Sequence, residues 1–142
     1  MLKTATTILL IGVLFGTLYS VAVVVSPQTI ARSTLKARVG IGLEAVQDRG
    51  AAETLVAQTR HLGIFALATN IALLFILFAG FKKGQKWAWW AFLFIGGLAW
   101  IFGLVTEILE KDTMNTIGHS IGTLLWLVGL LLAMKVFFPK KA

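Results

Sequence analysis

Charged residues in this chain bracket four uncharged, apolar stretches, each of about twenty residues. A helix rises about 1.5 Å per residue, so about 20 residues cross a hydrocarbon layer of about 30 Å. Stretches of that length predict transmembrane helices. The first covers about 6–25, after Lys3, and stops at Ser26-Pro27, where proline disfavours a continuing helix. The second, 62–81, lies between Arg60-His61 and Lys82-Lys83. The third, 87–106, ends at Glu107, and the fourth, 117–134, precedes Lys135 and the final Pro139-Lys140-Lys141. The first stretch exceeds a secretory signal core and lacks a small-x-small cleavage site before Pro27, so it is expected to be a retained span.

Only 13% of the 142 residues are charged, against about 25% in soluble domains. The expected fold class is therefore all-α, an integral membrane four-helix bundle forming a single domain over 1–142. With no cysteine, disulfides, thiolate metal sites, Fe–S clusters and quinone-linked disulfide chemistry are excluded. The net charge of +7 reads as anchoring beside the bilayer, the expected lipid partner, and does not imply nucleic-acid binding.

The connections differ in length and charge. Lys82-Lys83-Gly84-Gln85-Lys86 makes a tight basic turn, and Glu107, Glu110, Lys111 and Asp112 make an acidic one, so both flanking pairs should be antiparallel neighbours. Residues 28–60 are too long for an ordinary bundle loop. There Leu35, Val39, Leu43 and Val46 recur at helical spacing among charged residues, predicting an amphipathic helix that caps the bundle. Beyond Gly50 a second helical stretch is expected from about Ala51, running into the second span. Three lysines in the basic turn against one in the acidic turn favour cytoplasmic termini under the positive-inside rule.

Tryptophans 87, 89, 90, 100 and 126 read first as an interfacial belt, with an aromatic stacking platform as the functional alternative. Small residues four apart (Gly12 with Gly16, Ala99 with Gly103, Gly118 with Gly122) allow close helix packing inside the bundle. Thr69 and Asn70 lie at mid-depth in the second span and need partners on other helices. His61 and His119 begin the second and fourth spans on one membrane face, where Glu107 and Glu110 also end the third. Those four residues are the candidate metal ligands, since imidazole and carboxylate suit Zn, Mn or Fe, and paired imidazoles suit haem. A buried polar network around His119 is the plainer reading, and the Glu-x-x-His pattern of ferritin-like di-iron bundles is absent from the sequence. Walker, Rossmann, zincin and nucleophile-elbow strings are absent as well, so the expectation leans away from an enzyme.

Arg60-His61-Leu62-Gly63, the turn Lys82-Lys83-Gly84-Gln85-Lys86-Trp87-Ala88-Trp89-Trp90 and His119 together resemble small four-helix DoxX-like membrane proteins. That resemblance, over 60–142, implies a compact four-helix bundle with a long first loop, in a group occasionally associated with quinone-linked oxidoreductases. It carries no catalytic residues across. Small multidrug transporters are similar only in hydropathy, because the first span here lacks the carboxylate their mechanism requires. The leading functional expectation is a non-catalytic accessory or structural subunit, packing against other membrane subunits or itself and holding no cofactor. The alternative is a redox or ligand-binding bundle for a quinone, haem or divalent metal, with Trp100 and Trp126 walling its site.

Overall fold

The computed structural model describes residues 1–139 and is helical almost throughout, with no strand among those residues. Lys140 and Lys141 of the basic C-terminus lie outside them. Four of the helices are long and apolar enough to cross a membrane. These are α1 (Leu2–Val25), α3 (Arg49–Ala79), α4 (Lys86–Leu109) and α5 (Thr113–Phe137). The first, third and fourth expected spans fall inside α1, α4 and α5, whereas the second, 62–81, overruns α3, which ends at Ala79 and passes through Gly80 into a 3₁₀ turn at Phe81–Lys83. Helix α4 takes Glu107 into the helix rather than leaving it at the end.

Between α1 and α3 the chain forms α2 (Pro27–Val39), with Pro27 at its first turn, where the missing N–H costs nothing. The helix expected to run through Leu43 and Val46 instead ends at Gly40, in the left-handed region at φ 77°. A single 3₁₀ turn, Leu43–Ala45, follows. The apolar periodicity continued past Gly40, but glycine made the reversal cheaper than another helical turn. Asp48 then caps α3, its carboxylate accepting from the Gly50 and Ala51 amides, so α3 starts as one helix beside Gly50.

Helix α1 packs mainly on α3 and α5, while α4 lies against α5 and meets α3 near the basic turn. Phe81, Phe92 and Phe137 close the core at that end, with Phe81 ring centroids 5.4 and 4.9 Å from the other two. Asn70 is buried and donates to the Ala66 carbonyl at 2.9 Å and to Ser20 Oγ on α1 at 3.3 Å. It is the interhelical bond expected of it, worth about 0.6–2 kcal/mol. Thr69 differs, since its hydroxyl bonds Phe65 within its own helix. Of the small pairs, Gly12 and Gly16 face inward: a Cβ at Gly16 would lie 2.8 Å from Asn70 Oδ1. Gly103 admits the His119 ring and Gly122 the Trp100 ring, whereas Gly118 faces open space and Ala99 is exposed.

The tryptophans divide. Trp87 and Trp90 are exposed near the basic end, as a belt requires, but Trp89 and Trp126 are buried and Trp100 is half-buried. Helix α4 contains two π-helical segments, Phe92–Gly96 and Leu98–Phe102, which the sequence does not announce. A π turn shifts the bonding register from i+4 to i+5 and frees main-chain carbonyls for outside donors. Trp126 Nε1 donates to the Phe92 carbonyl at 2.8 Å and Thr123 Oγ1 to the Trp100 carbonyl at 3.2 Å. In the opposite direction Trp89 Nε1 donates to the Leu130 carbonyl.

Candidate functional site

At the end of the bundle opposite the basic turn, a cavity of about 500 Å³ lies beneath α2. That volume falls within the range of small-molecule sites. All five helices line it. Val23, Ile30, Ala31, Leu35, Leu62 and Ala66 supply apolar surface, and Tyr19, Arg38, Glu107, Asn115 and His119 supply a polar wall.

The polar wall is one connected network. Tyr19 Oη donates to Asn115 Oδ1 at 3.1 Å, and Asn115 Nδ2 donates to Asp112 Oδ2 at 2.9 Å. Asp112 caps α5 through its other oxygen, which accepts from the Asn115 amide, and is 1% exposed. Its charge is met by Arg38 Nε at 3.6 Å. The same guanidinium reaches Glu107 at 3.2 Å and Glu110 at 2.6 Å. One residue near the C-terminal end of α2 therefore ties that helix to the whole α4–α5 turn. The planar fork of arginine suits it to several carboxylates at once.

Lys111, within that turn, has φ 57°, a left-handed backbone that side chains disfavour. It lets the chain reverse tightly enough to place Glu107, Glu110 and Asp112 around a single cation.

The four candidate ligands are not brought together as one site. His61 is exposed and outside the cavity lining. The Nδ1 of His119 lies 3.2 Å from the Asn115 carbonyl of its own helix. Its Nε2 edge rests in the notch at Gly103, and the ring stands edge-on to Trp100 at 5.9 Å. Glu107 and Glu110 share Arg38. Among the described residues no group of three or more histidine, aspartate or glutamate side chains is disposed to hold a metal ion. Trp100 and Trp126 do not wall the large cavity; they close a void of about 10 Å³ at the bundle centre, with Gly12 and Gly122.

The carboxylates and His119 were legible in the sequence as site candidates, whereas Tyr19, Arg38 and Asn115 were not. Two signals were present. Tyr19 is the single tyrosine of the chain and lies inside an apolar span, and Asp112-x-x-Asn115 has helix-capping spacing. Arg38 carried no local signal, because its partners are about seventy residues away, the Arg38–Glu107 separation being 69.

No family model, curated protein or solved structure matches this chain. Fold and site together define an all-helical protein with four helices able by length and composition to span a membrane, and a roofed amphipathic cavity at one end.

Proposed function

We propose that this protein is a membrane-embedded ligand-binding bundle whose ligand is a small organic amphiphile held beneath α2. The cavity carries this reading, because it pairs an apolar surface with convergent polar groups at one end of the bundle. Of the ligands expected from the sequence, an organic molecule fits better than a metal or an axially bound haem. His119 keeps Nδ1 on its own helix and turns its Nε2 edge to Gly103, and His61 stays outside the lining.

The accessory or structural subunit is the second proposal, and the two are compatible, since a subunit can also hold an amphiphile. One observation bears on its motive: Gly12, Gly16, Gly103 and Gly122 meet side chains within this bundle. A relationship to DoxX-like proteins remains a proposal resting on the Lys82–Trp90 turn and its neighbours.

Purification in a mild neutral detergent, followed by native mass measurement and an absorption spectrum, tests both proposals. A bound organic mass that disappears in Ala66→Phe, which fills the cavity, is expected. An empty, partner-free wild type after extraction in several detergents would overturn the binding role. Co-purification of a larger assembly would carry the subunit role instead.

A further inference from the structure

We infer that the ligand of this cavity is a cationic amphiphile, with an ammonium head group seated beside Glu107 and a hydrocarbon tail along α3. This rests on the binding role proposed above and adds the charge of the head group.

The charge count at the polar wall motivates it. Arg38 is the cation set against Glu107, Glu110 and Asp112, so one positive and three negative groups give the cluster a formal charge of −2. The remaining cations of that end do not correct the imbalance. Arg32 is paired with Glu44 and Arg49 with Glu53, while Lys36, Arg60 and Lys111 are exposed and outside the cavity lining. Glu110 is partly screened by solvent, but Glu107 and Asp112 are largely shielded from it, so charge left uncompensated there is costly and a ligand of opposite sign recovers part of that cost on binding.

Geometry selects Glu107 as the partner. Its Oε2 is held by Arg38, its side chain is 13% exposed, and it lines the cavity, whereas Asp112 and Glu110 do not. The Oε1 of Glu107 retains lone pairs for an N–H donor. Tyr19 Oη, already donating to Asn115, can only accept from a ligand. Both groups therefore favour a primary ammonium over a carbonyl or phosphate, which would bring more acceptors. Opposite them Leu62 and Ala66 of α3 offer apolar surface for a tail.

Dodecylamine, dodecanol and dodecanoate have the same chain and differ in head group. Each is titrated into the full-length protein in a neutral glycosidic detergent, with one-to-one adducts read by native mass spectrometry. Dodecylamine is expected to bind about tenfold more tightly than dodecanol, the scale of one partly desolvated charge pair, and dodecanoate most weakly. In Glu107→Gln the preference for amine over alcohol should vanish, while Glu110 and Asp112 keep Arg38 in place. Equal binding of all three probes, a preference for dodecanoate, or an amine preference that survives Glu107→Gln would overturn the cationic assignment and leave the cavity role standing. Absence of any adduct, or adducts unchanged in Ala66→Phe, would overturn both. The wild-type comparison of the three probes decides the question even if a variant fails to fold.

Discussion

The indole Nε1 of Trp126 donates to the main-chain carbonyl of Phe92 at 2.8 Å, where α4 passes from α to π geometry. The pair fastens two neighbouring helices through a buried bond. Trp126→Phe keeps most of the ring volume and removes the donor, leaving the Phe92 carbonyl short of a partner. A loss of about 1–3 kcal/mol is expected in reversible unfolding in detergent. Gly96→Ala should cost a similar amount, because the new Cβ would land on the Trp126 ring. Wild-type stability in both would show that α4 relaxes freely at this point.

Arg38 is the latch of α2. Arg38→Ala leaves the buried Asp112 and its two neighbours without their cation, and should loosen α2 and lower stability by about 1–2 kcal/mol, discounted for the partial exposure of Arg38 and Glu110. Faster amide hydrogen exchange confined to 27–48 is the signature to seek. Arg38→Lys should rescue it only in part, since an ammonium cannot reach three carboxylates with a planar fork. Unchanged exchange in Arg38→Ala would assign the docking of α2 to its apolar contacts alone.

Ser20 and Asn70 join α1 to α3 through a buried hydrogen bond. A double-mutant cycle with Ser20→Ala and Asn70→Leu should give a coupling of about 0.6 kcal/mol, typical of interhelical bonds in hydrocarbon. Strict additivity would mean that Asn70 is satisfied by the Ala66 carbonyl and owes nothing to α1.

Lys111 occupies a left-handed conformation that glycine adopts without strain. Lys111→Gly should raise stability by up to about 1 kcal/mol in the same unfolding assay. A decrease would show that the lysine side chain contributes more than the backbone strain removes.

A cytoplasmic placement of both termini is predicted from the short turns, where three lysines of the basic turn stand against one in the acidic turn. All six acidic side chains, Glu44, Asp48, Glu53, Glu107, Glu110 and Asp112, lie at the cavity end together with Arg32, Lys36, Arg38, Arg49, Arg60 and Lys111, while Lys3, Lys82, Lys83, Lys86 and Lys135 lie at the other, so the short turns rather than the totals carry the prediction. Single cysteines at Glu44 and Thr113 should react with an impermeant thiol reagent in intact cells, and those at Lys3 and Gln85 only after permeabilisation. Thr113 is preferred to Asp112, which is buried. The reverse labelling would invert the orientation.

The sequence by itself determined the four long apolar helices and the turns that pair them. Span length, flanking charge and the Ser26-Pro27 break are local properties, set by the thickness of hydrocarbon and by the missing proline N–H. Asn70 was legible for the same reason: an amide inside an apolar span must find a partner, whichever helix supplies it. Tertiary structure alone decided which groups meet. The Phe92 and Trp100 carbonyls of α4 accept from Trp126 and Thr123 of another helix, and no pattern within Phe92–Phe102 encodes that. Arg38 finds Glu107, Glu110 and Asp112 only once Gly40 ends α2 and Lys111 turns the chain back. His61 and His119, alike in the sequence as helix-start imidazoles, diverge for the same reason. A notch at Gly103 holds one, while the other faces outward on a helix whose inner face Gly63 has already given to Val23. Spacing along a chain reports what one helix can present, and the choice among presented groups belongs to packing between helices.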